Sequence, residues 1–261
     1  NNGEKVKAKV DMELYSGDQV ITKSKQRIRL RFADMSELQI RPESNVMLDK
    51  LSHHEQVGMV DTRIRLNSGG VNTWVEKQNP DSHYEITTPA AITAVRGTTF
   101  RLSTDSELIS RTEVTEGVVD VSAGNTEKAV NHGYGIVAEK DKPLQEPVKL
   151  LPPPAVSIEY IKETDMHIAS WLEIEGAKHY HYQLSTDADF NMVVVDGVTE
   201  HPALDIKDLS VGNYYLSVRA VDLNLLEGVD SINTFEKQES IVEDDTLWKI
   251  MLSVGLIILL L

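Results

Sequence analysis

"TPAAITAVRGTTFRL" (88–102) alternates apolar and polar side chains as a half-buried strand does, and Arg96-Gly97 breaks the run. A glycine inside a strand marks a bulge or a close backbone approach. A bulge at Gly97 is expected to re-aim Arg96 towards a carboxylate, and Glu116 in the next strong strand pattern is the obvious partner. A bidentate pair there would fix the register of two strands. The alternative is an exposed Arg96 that contacts a partner.

Strand signals extend in both directions from this stretch. "RIRLRF" (27–32) alternates Ile28, Leu30 and Phe32 with arginines, and "ELQI" (37–40) and "NVMLDKL" (45–51) follow after polar turns. "TRIRLNSGGVNTWVEK" (62–77) reads as strand, Ser-Gly-Gly turn, strand. Regular strands without helical periods predict an all-β chain, its first domain a sandwich or solenoid-like. Pro143, Pro147, Pro152, Pro153 and Pro154 crowd residues 141–155 and predict a stiff linker. The lysines and arginines among the first thirty residues, Arg27 and Arg29 included, read as a solvated strand edge.

Beyond the linker, 156–236 is again β, alternating around Trp171, Tyr180, Tyr182 and Leu184 and then Tyr215, Leu216 and Val218. The order Trp171, "YQLSTDADF", "GNYYLSVRAVD", "EGVDS" resembles the fibronectin type III family, which implies a small two-sheet sandwich. In the first domain, "TPAAITAVRGTTF" followed by the strand "EGVVDV" closely resembles the FecR domain. Thr88, Pro89, Ala91, Val95, Arg96, Gly97, Thr98, Phe100, Glu116, Gly117, Val119 and Val121 carry that likeness, with Thr99 where an acidic residue is common. It spans 14–140 of a domain drawn at 1–140. We read Pro89, Arg96, Gly97, Thr98, Phe100, Glu116 and Gly117 as a structural motif.

The C-terminus turns apolar at 247–261 after an acidic stretch, 237–246. The apolar run reads as a truncated transmembrane helix, with Trp248 and Lys249 at the membrane interface. A net charge of −15 and a pI near 4.9 argue against nucleic acid. No cysteine is present, which removes disulfides, thiolate metal sites and cysteine nucleophiles. No G-x-S-x-G, P-loop or dinucleotide-binding loop occurs. His179 and His181 share a strand face as half of a metal site would, but no third ligand is near and they read as surface histidines. Asp187, Asp189 and Asp196 read as turn residues without a calcium loop.

No enzyme, cofactor or metal is therefore expected. The FecR resemblance implies the bacterial envelope, where iron-uptake members relay a signal from an outer-membrane transporter to a sigma factor. With no cytoplasmic segment ahead of the domain, sigma-factor control is not carried over. The expectation is a periplasmic recognition or signal-relay module, anchored in the inner membrane and contacting envelope proteins. It would be the ectodomain of a longer signalling receptor. The alternative is a structural or adhesive envelope protein holding a cell-wall or surface glycan; a carboxylate-dependent hydrolase ranks third.

Overall fold

A single strand of sixteen residues, β5 (Met59–Trp74), organises the first half of the molecule. The computed structural model describes residues 5–54, 59–77, 82–95 and 97–239. The first part of β5 pairs with β4 (Asn45–His54) on one side and in parallel with β6 (His83–Thr87) on the other. Its last part pairs with β3 (Glu37–Ile40) and β8 (Thr99–Thr104). The Ser-Gly-Gly segment read as a hairpin turn is instead where this one strand passes between sheet layers. Gly69 makes the passage possible: φ is +86°, and a Cβ there would sit 2.3 Å from Ser44 Oγ and 2.6 Å from Ser44 Cα.

Around β5 the two layers complete themselves. One adds β1 (Gln19–Ile21), which pairs with β4, and β7 (Ile92–Val95), β10 (Val118–Ala123) and β11 (Thr126–Asn131) beyond β6. The other adds β2 (Ile28–Arg31) beside β3, then β9 (Ile109–Glu116), β12 (Tyr134–Glu139) and β13 (Val148–Lys149) beyond β8. Leu48, Ile64, Ile86 and Val121 of the first layer share one core with Leu38, Phe100, Val114 and Ile136 of the second. The first unit is therefore a β-sandwich. The alternation that predicted strands has its cause here, since every second side chain enters that core.

The second unit stacks a three-stranded sheet on a four-stranded one. The first sheet runs β14 (Ser157–Ile161), β15 (Met166–Ser170), β18 (Ala203–Ile206). The second runs β17 (Val193–Thr199), β16 (His179–Ser185), β19 (Gly212–Val221), β20 (Ser231–Lys237). Trp171 packs edge-on to Tyr180 at 5.2 Å in its core, with Leu184, Leu216 and Val218. The Tyr214 hydroxyl donates to the Ser210 carbonyl at 2.9 Å, a tie back along the chain that fixes the entry to β19.

The proline-rich segment does not stand free between the units. Leu144 and Leu150 are buried, and β13 pairs with β12. Leu150 N donates to the Gly133 carbonyl at 2.8 Å, while the next carbonyl, of Leu151, accepts from Val229 N at 3.0 Å. Consecutive linker residues are thus bonded to different units. Proline removes a donor but leaves its neighbours free to bond, so the intervening residues support a short ladder. Residues 247–261, with Trp248 and Lys249, lie outside the described residues, among which no helix is long and apolar enough to cross a membrane.

Candidate functional site

Gly97, Thr98, Phe100, Glu116 and Gly117 gather where β7 ends and β8 begins, while Pro89 lies in the turn that leads into β7. Gly97 lies between these strands instead of inside one; the register irregularity comes later, between Thr99 and Phe100. Gly97 has φ +73° and Gly117 φ +79°, and a Cβ on Gly117 would come within 2.9 Å of the Gly97 carbonyl oxygen and 2.7 Å of Thr98 Cγ2. The two glycines let one turn rest on the other. Thr98 is buried and its carbonyl accepts from Val75 N at 2.9 Å; Phe100 is a core residue. Pro89 sits in a tight turn closed by Thr88, whose Oγ1 accepts from Ala91 N at 3.0 Å. Glu116 is exposed and accepts from the Thr99 hydroxyl at 3.1 Å. Arg96 lies outside the described residues, and with it the expected pairing to Glu116.

The concentrated charge lies elsewhere. On β8, Phe100 and Leu102 enter the core, so Arg101 points out of the opposite face. The registers Arg29–Gln39, Gln39–Asn72, Asn72–Arg101 and Arg101–Glu113 put these five residues in one cross-strand row. Such a row would normally face water. Here the four-stranded sheet of the second unit and its β19–β20 loop cover it, leaving Gln39, Arg101 and Glu113 at 4%, 5% and 2% exposure.

Contacts between the two faces run the length of the row. Gln39 Nε2 donates to the Phe190 carbonyl at 3.0 Å, Arg29 to the Asp189 carbonyl at 2.9 Å, and Arg111 to the Asn224 carbonyl at 2.7 Å. Arg27 pairs with Asp196. At the centre, Arg101 bonds Asp230 at 2.7 Å and the carbonyls of Glu227 and Gly228 at 2.7 and 2.6 Å. Arg41 bonds Glu227 Oε1 at 2.7 Å, and Arg219 lies 2.8 Å from Glu227 Oε2 and 2.6 Å from Asp230 Oδ1. Glu113 accepts from Glu227 N at 3.2 Å. Three guanidinium groups from two units therefore enclose three carboxylates.

His181 extends this network to the sheet edge. Its Nδ1 lies 2.9 Å from an Arg219 guanidinium nitrogen and 3.3 Å from Glu227 Oε1. Its Nε2 lies 2.7 Å from Asp196 Oδ1. The expected surface histidine is thus half-buried in the seam, and Asp196 is a strand residue of β17 instead of a turn residue. Asp187 is in a turn, accepting from Met192 N at 2.6 Å and Asn191 N at 3.1 Å. Arg27 and Arg29, expected on a solvated edge, belong to the seam as well. No group of three or more potential ligands that could hold a metal occurs among the described residues.

The seam divides its acids by protonation. Burial alone would raise the Glu227 pKa, but Arg219 and Arg41 outweigh it and hold the group well below the carboxylate range. Burial likewise opposes ionisation of Asp230, and Arg219 and Arg101 bring it down to about 2. Glu113 goes the other way. Burial raises it to about 7, Arg101 being too distant at 3.9 Å to compensate and the Glu227 charge adding to the rise. The arrangement contains no activated nucleophile; what it does is clamp two sheets together by charge.

Sequence reasoning missed Arg41, Arg101, Arg219, Glu227 and Asp230. Arg101 and Arg219 alternate with apolar neighbours along their strands, which is also the pattern of a wet sheet face, while Arg41, Glu227 and Asp230 lie between strands, where charge is ordinary. The available signal was the density of such charges, with Arg101 in "TFRLST" opposite Glu113 in "ISRTEV" and Arg111 two residues before Glu113 on the same strand.

The model of the family described as FecR protein matches residues 18–120, covering β1 to β9 and the start of β10. No curated protein matches the chain. Among solved structures, a protein assigned as an anti-sigma factor from Parabacteroides distasonis is 12% identical at a TM-score of 0.42, over 51% of this chain and 58% of that one. The chain thus spans little more than half the length of that structure. Domains A168–A170 of titin are 10% identical at a TM-score of 0.28, over 86% of this chain and 100% of that one. The extracellular domain of a one-component system from B. thetaiotaomicron is 9% identical at 0.26, over 83% and 36%. Likenesses of this depth assign neither fold nor function.

Proposed function

We propose that this chain is a non-enzymatic signal-relay module of the bacterial envelope that acts through protein contacts. In this reading it is periplasmic, and residues 247–261 tether it to the inner membrane as the ectodomain of a longer receptor. The FecR match on 18–120 supports a regulatory role, and the three-on-four arrangement of the second unit supports a fibronectin type III-like partner domain. The observation that carries the reading is the charged seam. A relay must turn contact at one end into displacement at the other, and two sandwiches on a loose spacer would lose that displacement in the linker. Here Arg41, Arg101 and Arg219 join both units to Glu227 and Asp230, so a push on one sandwich moves the other.

The chain has no cysteine, so Asp120→Cys and Lys207→Cys place one label on each unit. Spin-label distances are expected to be narrow in the otherwise wild-type protein and broad after Glu227→Ala, which leaves Arg41 and Arg219 facing each other. The same substitution in the host should reproduce the transcriptional effect of deleting the gene, at unchanged protein level. A wild-type transcript profile in Glu227→Ala cells would refute the relay.

A further inference from the structure

Two basic residues lie between the sheets of the second sandwich, where apolar side chains are the rule. His167 on β15 belongs to the three-stranded sheet and Lys237, the last residue of β20, to the four-stranded one. They are 5% and 4% exposed. The imidazole is held between the rings of Tyr160 and Phe235, with centroids 5.0 and 4.6 Å away, and Phe235 stacks on Tyr214 at 5.6 Å. Lys237 Nζ pairs with Asp165 and lies 5.3 Å from the centre of the Tyr160 ring. Asp165 takes a left-handed conformation, φ +51°, in the turn between β14 and β15, and accepts from the Tyr160 hydroxyl at 2.7 Å. One ring stack and one ion pair therefore close the two sheets on each other where β20 ends.

We propose that His167 is a proton-operated latch: the neutral ring closes the β20 end of the second sandwich, and the imidazolium opens it, releasing β20 from β14 and β15. From β20 the imidazole is faced by Lys237 and by the backbone of Glu236, which bonds the ring. From the β14–β15 turn it is faced by Asp165, from β14 by the Tyr160 phenol, and its partner on β18 is the uncharged Ile206. With a neutral imidazole this cage holds one cation and one anion. Protonation adds a second cation beside Lys237, with a single carboxylate to share, in a buried space. Burial and then Lys237 lower the His167 pKa, and the Glu236 carbonyl and Asp165 do not make up for them. Hydrogen bonds from Lys237 and then Tyr160 hold Asp165 below the ordinary carboxylate value, so it stays ionised while the imidazole titrates. The sign follows: closure is present above the ordinary histidine pKa of about 6.5 and is lost as pH falls through the lower folded value. Protons have a way in, because Tyr160 is 45% exposed and the Asp165 side chain 47%. None of these groups joins the two units, so the latch stands apart from the relay reading.

Glu163→Cys and Asn213→Cys, both at exposed positions, put one spin label on each sheet beside the latch of the whole protein. Their distance distribution is expected to be narrow at pH 8 and at least about twice as wide at pH 4.5. His167→Phe keeps an aromatic ring and removes the proton site, so its distribution should stay narrow at both pH values. Nuclear magnetic resonance of the unlabelled wild type should show the His167 ring titrating below the ordinary histidine value, and Lys237→Met should move that titration upwards. A wild-type distribution unchanged by acid, equal broadening in His167→Phe, or a ring that titrates at or above the ordinary value would each overturn the proposal. If His167→Phe does not fold, the ring titration and its response to Lys237→Met decide between latch and plain packing: a titration indifferent to Lys237 sinks the latch.

Discussion

Phe100 and Arg101 are neighbours on β8, at 0% and 5% exposure, and opposite physics keeps them from water. Phe100 is surrounded by Leu38, Val114 and the rest of the first core, where contact is non-directional and burial itself is the driving force. Arg101 is surrounded by Asp230, Glu227 and two carbonyls, where burial costs free energy and only matched charge offsets it. The two faces of one strand therefore differ in what can disturb them. Losing atoms damages the core; losing a partner, or changing a proton, damages the seam.

The largest expected effect breaks the core side of this contrast. Phe100→Ala should cost about 3–5 kcal/mol in denaturant unfolding, because the collapsed sandwich only partly refills the space. The loss should be the same at pH 5 and pH 8, since Tyr84, a titratable group of that core, is held by burial well above its ordinary pKa and stays neutral at both. A loss that varied strongly with pH would mean the two faces are not energetically separate.

Glu113 sharpens the seam side. Its folded pKa of about 7 lies above its ordinary value, so its contribution to stability is present at low pH and lost as pH rises towards and through 7. Asp230, held at about 2, has the reverse sign: its contribution is present above its ordinary value and lost as pH falls towards 2. Glu113→Gln should remove the neutral-pH decline and leave the acid limb intact, gaining roughly 2 kcal/mol over the wild type at pH 8. Thermal melts from pH 3 to 8 measure both limbs, and an unaltered slope in the variant would show that Glu113 ionises freely. The smallest effect comes from an exposed pair on the other layer. Arg65→Ala removes the Asp49 contact at 2.8 Å, and melting should shift by no more than about 0.5 kcal/mol equivalent. A larger change would place that pair in a class with the seam.

Much of the first sandwich was legible because its signal is local. Ile28, Leu30 and Leu38 alternate with polar residues, and Phe100 falls on the core parity of the stretch read first. The Ser-Gly-Gly segment was misread because a positive-φ glycine in a crowded layer crossing looks, in sequence, like one in a hairpin. Arg96-Gly97 was placed in a strand because the alternation resumes after it; β7 and β8 belong to different layers, which no local pattern records. The seam was illegible for a further reason. Its partners across the two units are separated by more than a hundred residues, as Arg101 and Asp230 are, and a charged strand face looks the same whether water or another sheet covers it.

The sequence by itself determined that the described part of the chain is built from strands, because backbone preference and side-chain alternation act between near neighbours. Tertiary structure alone decided that the proline segment is bonded to both units and that His181, Arg27 and Arg29 are drawn into the seam. Those outcomes depend on which face meets which, and that is fixed by charge matching between distant strands.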